Sequence, residues 1–371
     1  MSPSAKRGLL NVARVVLTAL ALWIVVRMIQ IDDFVRIKEP GKKPVDSSQA
    51  SIESSGPGGV VLKWTDGHRS VHAAGEIEAR PGLKALFNRM HKGLFFAMVA
   101  ALLVPLALLA LRWWLLLRGH GFEARLGQVF FMTYAGAFFN KFLPGAVGGD
   151  LTKAILAVQG EERKTAVVGT VILDRLVGLG MMIVLGAACL TPYVGRFEDR
   201  RLAVVVYGLL GAMILGYLVY FNPLLRRGLG GKLPFQRVRQ ELDSVFRSAR
   251  EKKGLVAAAA AISLAAQTSG ILIIYGLARA MGVENVGLWA FFIFEPIIFI
   301  VTAVPISVGG WGVQELVYEQ LFGRFGGMDP NQAIALSILY NISYILVSIP
   351  GGLLFAMGAA RRRTEVSGPK S

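Results

Sequence analysis

The sequence predicts an all-α polytopic membrane protein with about six full spans and two re-entrant hairpins of broken helix. The 371-residue chain is 54% hydrophobic, with a mean hydropathy of +0.54. It contains several apolar runs of about 18 residues or more, long enough to cross a bilayer and too many for a water-soluble core. Two Gly- and Pro-rich stretches, 138–153 and 304–315, interrupt apolar sequence where membrane helix is expected.

The predicted units follow one another along the chain. They are a membrane anchor helix at 1–29, an extracytoplasmic segment at 30–91, a first membrane repeat at 92–190, a connecting span and basic loop at 191–253, a second membrane repeat at 254–360 and a basic cytoplasmic tail at 361–371.

The anchor helix is predicted from Lys6 and Arg7, which precede an apolar run from Gly8 to Ile29. No small-residue cleavage site follows that run, which favours an uncleaved helix over a signal peptide. Basic residues before the run place the N-terminus in the cytoplasm.

The segment 30–91 is expected to lie outside. It begins with a Pro-, Ser- and Gly-rich stretch, 40–59, predicted to be a linker. An Asp-Gly pair at 66–67 then separates 60–64 from 69–73, which indicates a small β-hairpin.

The first repeat is predicted to contain spans at 93–117 and 166–190 with a broken hairpin at 126–160 between them. Three arginines against one glutamate in 112–125 indicate a cytoplasmic loop. The first hairpin is therefore expected to enter the membrane from the cytoplasmic side.

The second repeat is expected to run in the opposite direction. A span at 202–221 leads to a loop at 222–253 with nine basic and three acidic residues, which indicates the cytoplasm. Spans at 254–281 and 333–357 then flank a second broken segment at 288–322.

The first interruption is predicted to be a helix, a tight turn and a second helix. Pro144 ends a helix that begins near Leu126, and the glycines at 145, 148 and 149 allow close backbone approach. Asp150 suits the N-cap of the new helix, which is expected to reach about Gly160. Free N–H groups at such a helix start can receive an anion.

The second interruption repeats the first at an offset of 161 residues. Pro305, Gly309 and Gly310 correspond to Pro144, Gly148 and Gly149, and the triplet Lys-Gly-Leu at 92–94 recurs at 253–255. Inverted repeats with broken helices that meet near the midplane are typical of transporters. The alternative is a coincidence of two turns in a chain that contains 43 glycines.

Charged residues at membrane depth mark a candidate site. Asp174 and Arg175 lie about nine residues into their span, roughly 13 Å deep, and Glu295 is a further intramembrane carboxylate. The candidate pairings are Asp174 with Lys153, and Arg175 with Asp150 or Glu315. A substrate site and an ion pair that only fixes helix packing both remain open.

Three motifs resemble the lysylphosphatidylglycerol synthase transmembrane region, also called the flippase-like domain, over about 90–360. They are Asn140-x-x-x-Pro144-Gly145-x-x-Gly148-Gly149-Asp150-x-x-Lys153, Asp174-Arg175-Leu176 and Pro305-x-Ser307-x-Gly309-Gly310-x-Gly312-x-x-Glu315. The chain departs from the family pattern at Lys153, where Arg is usual, at Asp174, where Glu is usual, and at Gln314, where Arg is frequent. The candidate substrate-binding residues are Asn140, Lys141, Pro144, Gly148, Gly149, Asp150, Lys153, Asp174, Arg175, Glu295, Pro305, Gly309, Gly310 and Glu315.

The resemblance implies translocation of an anionic phospholipid or lipid-linked headgroup across the cytoplasmic membrane. Lys153 and Arg175 would hold the phosphate, and a proton on Asp174 or Glu295 could couple the movement. The alternatives are a membrane enzyme or accessory subunit in aminoacyl-lipid or lipid-linked glycan synthesis, and a structural membrane subunit. The expected partners are membrane lipids with an anionic headgroup and a lipid-modifying enzyme. No cofactor or metal is expected, because no nucleotide-binding Gly loop or metal-ligand cluster is visible. The net charge of +16 is explained by membrane topology, so nucleic acid is not an expected partner.

Overall fold

The computed structural model describes most of the predicted membrane region. The described residues are 34–37, 45–47, 50–56, 59–64, 66–72, 77–80, 83–142, 148–159, 162–192, 251–303 and 307–366, with isolated positions at 23, 204, 207, 208, 210–212 and 215. Apart from those isolated positions, the predicted anchor helix, the span 202–221 and most of the loop 222–253 lie outside the described residues, as do Pro144 and Pro305.

The described residues of the segment before the first span include six β-strands in two antiparallel three-stranded sheets, ordered β2-β1-β6 and β3-β4-β5. The strands are β1 Phe34–Ile37, β2 Val45–Ser47, β3 Ala50–Gly56, β4 Gly59–Trp64, β5 Arg69–His72 and β6 Ile77–Arg80.

The predicted hairpin is confirmed, since β4 and β5 pair on either side of Gly67, whose φ is 90°. The predicted linker at 40–59 is wrong, because β2 and β3 lie within it. Its composition suggested a coil, but β3 pairs along β4 and places Ile52 opposite the fully buried Leu62. Backbone hydrogen bonding to a neighbouring strand thus overrides weak local β-propensity.

Ten helices and one π-helical turn follow among the described residues. The helices are α1 Leu83–Arg89, α2 Lys92–Ala101, α3 Leu103–Gly119, α4 Leu126–Phe142, α5 Gly148–Ala157, α6 Lys164–Leu190, α7 Lys253–Ala280, α8 Leu288–Ala303, α9 Val313–Tyr318 and α10 Pro330–Val366, and the π-helical turn is Glu319–Phe325.

Four helical segments in the described part of the chain are long and apolar enough to cross a membrane. They are Lys92–Gly119, Lys164–Leu190, Lys253–Ala280 and Pro330–Met357. Each matches a predicted span, and the protein is a mostly helical membrane protein. The first of them consists of α2 and α3, which meet at Leu102; Pro105 then occupies the first turn of α3, where a missing N–H is tolerated.

The main chain of helix α4 packs closely against two neighbouring helices. On one side, a Cβ on Gly136 would come within 2.8 Å of the Gly149 carbonyl oxygen, so α4 and α5 contact through their main chains. On the other side, a Cβ on Gly351 would lie 2.6 Å from the Tyr134 carbonyl oxygen, and one on Gly352 would lie 2.7 Å from the Phe138 ring. Larger side chains at these glycines would separate α4 from α5 and α10.

A large apolar core among the described residues joins α7, α8, the π-helical turn and α10, with contributions from α1, α2 and α6. Phe291 and Phe322 are fully buried there with ring centroids 4.6 Å apart, and Leu277 and Leu336 pack with them. This core holds the second half of the chain together and leaves a cavity between it and helices α3 to α6.

Candidate functional site

A cavity of about 340 Å³ lies among α3, α4, α5, α6, α7, α8 and α10. That volume is within the range of small-molecule sites in proteins. Ten of the fourteen candidate residues line it: Asn140, Lys141, Gly149, Asp150, Lys153, Asp174, Arg175, Glu295, Gly309 and Gly310. Gly148 is buried in the first turn of α5, and Glu315 lies behind the wall with 1% of its surface exposed.

Three charged side chains form a buried cluster, which we call the triad: Arg112, Asp174 and Lys153. Arg112 Nε donates to Asp174 Oδ1 at 2.7 Å, and Lys153 Nζ lies 3.7 Å from Asp174 Oδ2. Their exposed fractions are 4%, 3% and 8%, respectively. The triad places two cations on one carboxylate, so it carries one excess positive charge in a region shielded from water.

The predicted pairing of Asp174 with Lys153 is therefore confirmed, but the stronger partner is Arg112. The sequence assigned Arg112 to a cytoplasmic loop at 112–125, and that assignment is wrong. Helix α3 continues to Gly119 and buries Arg112, and Gly178 of α6 leaves room for its guanidinium group. The apolar run that continues over Leu115–Leu117 was the available signal that Arg112 lies inside the span.

A second ion pair joins α5 to α6. Arg175 Nη1 donates to Asp150 Oδ2 at 2.5 Å, which confirms Asp150 rather than Glu315 as its partner. This pair is less buried than the triad, with side chains 30% and 20% exposed. Because Asp150 neutralises Arg175, that arginine contributes less to an excess of charge than the sequence suggested.

The start of α5 differs from the prediction. The helix begins at Gly148, so Asp150 lies in its first turn and is not the N-cap. The Asp150 carboxylate turns to Arg175, which offers a charged partner. Asn140 of α4 accepts the Gly149 N–H at 3.1 Å, so one of the N–H groups expected to receive an anion is already occupied.

The second broken segment meets the first at the cavity. Gly309 and Gly310 have φ values of 60° and 83°, in the left-handed region that favours glycine. A Cβ on Gly309 would overlap the carbonyl oxygen of Lys141, at the end of α4. The two motifs recognised in the sequence are thus in backbone contact.

Lys141 has a different environment from the triad. Its ammonium group donates to Asn341 Oδ1 at 2.5 Å and lies 5.4 Å from the centroid of the Tyr344 ring. No described residue places a carboxylate within 4.0 Å of it. Asn341 in turn donates to Glu315 Oε1 at 2.9 Å, so its amide links the Lys141 ammonium group to the Glu315 carboxylate.

The two remaining candidate carboxylates are held by neutral donors. Glu315 accepts the Gly312 N–H at 2.7 Å and the Asn341 amide, which ties the start of α9 to α10. Glu295 accepts the Tyr318 hydroxyl at 2.7 Å and lines the cavity. Glu315 is therefore placed to support the second broken segment, whereas Glu295 faces the space that a ligand would enter.

The polar wall as a whole carries more positive than negative groups. Four basic residues line the cavity: Arg112, Lys141, Lys153 and Arg175. Three acidic residues line it: Asp150, Asp174 and Glu295. Two of the cations, Lys141 and one member of the triad, have no carboxylate of their own among the described residues.

Comparison with known proteins agrees with the motifs. No curated protein matches the chain. The sequence model of the lysylphosphatidylglycerol synthase TM region matches residues 82–351, which is most of the chain and includes every element around the cavity. The chain therefore belongs to the lysylphosphatidylglycerol synthase TM region family, and is a membrane protein related to lipid biosynthesis or flipping.

Proposed function

We propose that this protein translocates an anionic lipid across the cytoplasmic membrane, with the headgroup passing through the cavity while the acyl or isoprenoid chains stay in the bilayer. The observation that carries the proposal is the excess positive charge of the buried triad. Asp174 lies ten residues into α6, so the triad is about 15 Å from the start of that helix and close to the middle of a ~30 Å hydrocarbon core.

A phosphate in this cavity would complete the charge balance. A buried charge without a partner is strongly unfavourable, so the second cation of the triad favours an anionic ligand. Lys153 is the natural contact, because Arg112 already holds Asp174 at 2.7 Å while Lys153 is 3.7 Å away. Lys141 offers a second cation at the place where the two broken segments meet.

The other side of the cavity is apolar. Its apolar lining includes Leu102, Leu106, Leu109, Leu179, Met182, Ile271, Ile274, Ile298 and Phe299. Phe299 also has 44% of its surface exposed. A wall that is charged on one side and apolar on the other suits a headgroup whose chains remain in lipid.

The helix bounds support the proposed inverted repeat. Moving Lys92–Gly119 by 161 residues gives the bounds of α7, Lys253–Ala280. The same shift applied to α4 gives the bounds of α8 to within one residue, and it places Gly148 and Gly149 of α5 on Gly309 and Gly310. Two related halves that run in opposite directions could open the cavity alternately to the two leaflets.

The experiment is reconstitution of the full chain in liposomes that contain a fluorescent anionic phospholipid in both leaflets. Addition of a membrane-impermeant quencher reports how quickly inner-leaflet lipid reaches the outside. We expect fast loss of the protected fraction with the wild-type chain and no chemical change of the lipid by mass spectrometry. A newly aminoacylated or glycosylated lipid would support the enzyme alternative, and no movement of any anionic lipid would refute the proposal.

A further inference from the structure

Two buried polar atoms in the cavity wall have no hydrogen-bond partner. They are the hydroxyl oxygen of Thr133 and the side-chain carbonyl oxygen of Gln267, and no other buried side-chain nitrogen or oxygen in the described part of the chain shares this property. Both residues line the cavity, and Thr133 is 3% exposed. Buried polar groups almost always have partners in folded proteins, so two exceptions in one cavity point to a ligand.

The orientation of the Gln267 amide is fixed by its neighbours. Its nitrogen donates to the Gly178 carbonyl oxygen at 2.7 Å and lies 3.3 Å from Ser263 Oγ. Turning the amide over would place its oxygen against the Gly178 carbonyl, where two acceptors would face each other. The Gln267 carbonyl oxygen is therefore the unpaired atom in the cavity wall, and only a hydrogen-bond donor can pair with it.

The nearby charge selects the kind of donor. Arg112 Nη1 donates to Ser263 Oγ at 2.7 Å, so the guanidinium group and the Gln267 amide share one hydroxyl. An ammonium donor at Gln267 would be repelled by this guanidinium group, whereas a neutral hydroxyl would not. The Thr133 hydroxyl can either donate to or accept from such a group.

We infer that the translocated headgroup carries neutral hydroxyl groups in addition to its phosphate, and that Thr133 and Gln267 select for them. A glycerol, inositol or sugar ester of a lipid phosphate has this chemistry. The inference rests on the proposed function, because it assumes that the phosphate binds at the triad. A site built to bond a hydroxyl discriminates against an analogue without it, since the protein atoms then stay buried and unpaired.

The test compares two lipids that differ only in the hydroxyls. Phosphatidylglycerol and phosphatidylpropanol with the same acyl chains have the same charge and the same number of headgroup carbons. In the liposome assay we expect the wild-type chain to move phosphatidylglycerol about tenfold faster, as one hydrogen bond can supply. Thr133→Val, which has the same shape without the hydroxyl, should bring that ratio close to one.

A second readout separates selectivity from folding. Thr133→Val removes an unpaired buried hydroxyl, so without lipid it should unfold at a higher temperature than the wild type. Thr170→Val is the matched control: the Thr170 hydroxyl is fully buried outside the cavity lining, donates to the Val167 carbonyl at 2.7 Å and accepts the Trp113 indole N–H at 3.3 Å. Thr170→Val should lower the unfolding temperature and leave the ratio of the two transport rates unchanged. Gln267→Met is a second cavity variant and should also reduce the ratio.

The outcomes distinguish the two proposals. If neither lipid moves, the translocator function itself fails. If both lipids move at the same rate in the wild type, translocation stands and the inference of a hydroxylated headgroup is overturned. A ratio that Thr133→Val leaves unchanged, or that Thr170→Val lowers equally, would overturn the assigned role of Thr133.

Discussion

Replacing Lys153 by Gln should greatly slow lipid movement while leaving the protein almost as stable as before. Lys153 lies 3.7 Å from Asp174, an attraction of about 4 kcal/mol at an effective dielectric constant of ~20. Arg112 holds the same carboxylate and repels the ammonium group, and burial of Lys153 removes its hydration. These terms oppose one another, so we expect the free energy of unfolding to change by about 1 kcal/mol or less.

Asp174→Asn should have the opposite profile. It leaves Arg112 and Lys153 buried at 4% and 8% exposure without a counter-charge. Removing one member of a buried pair typically costs about 3–5 kcal/mol, so this variant should be strongly destabilised. The contrast follows from the stoichiometry of the triad, since Lys153→Gln leaves a neutral pair and Asp174→Asn leaves two cations.

The assay needs both stability and transport. Unfolding in mixed detergent, followed by tryptophan fluorescence, measures stability, and Trp113 lies 5.4 Å from the Lys153 ammonium group. The liposome assay measures transport, in which Lys153→Gln should be at least about tenfold slower. Lys164→Gln, an exposed lysine at the start of α6, is the control. The reasoning is refuted if Lys153→Gln is as unstable as Asp174→Asn, or if it moves lipid as fast as the control.

Three further predictions follow from other positions. Gly309→Ala should lower the free energy of unfolding by about 1–3 kcal/mol and reduce transport, because the φ of Gly309 is 60° and the new Cβ would overlap the Lys141 carbonyl. A variant that is as stable as the wild type would contradict this. Glu295→Gln keeps a hydrogen-bond acceptor for the Tyr318 hydroxyl but cannot carry a proton, so transport should stop responding to an imposed proton gradient. If the variant still responds to the gradient, Glu295 is not the proton carrier. A cysteine at Ser54 should react with an impermeant reagent from outside and one at Ser248 should not, and the reverse result would overturn the antiparallel arrangement.

Sequence alone predicted the parts of the site that leave local signals. Gly and Pro in apolar runs located both broken segments, and the charges of Asp174 and Arg175 stood out against their hydrophobic surroundings. The start of α4 at Leu126 and the partners Lys153 and Asp150 are confirmed for the same reason. Residues of these types stand out within an apolar run, so such positions can be recognised from the sequence before the fold is known.

Other parts of the site depend on tertiary structure. Arg112 was misassigned because several arginines near the end of a hydrophobic run normally indicate a loop. The apolar residues that follow it could have placed it inside the span, but its partners on α6 and α7 are set by tertiary packing. Thr133 and Gln267 gave no signal, since uncharged polar residues are common in membrane helices. The absence of a hydrogen-bond partner for these two side chains can be recognised only in the folded helix bundle.

The glycine contacts of α4 limit how far this helix can shift against its neighbours. A helix whose main chain touches both α5 and α10 cannot slide or rotate without losing those contacts, so these three helices form one tightly packed group. Gly186 of α6 fits against the Pro296 side chain of α8, so α6 and α8 form a second tightly packed group. The ion pair of Asp150 on α5 and Arg175 on α6 joins these two groups. Any displacement of one group against the other would therefore have to break that pair.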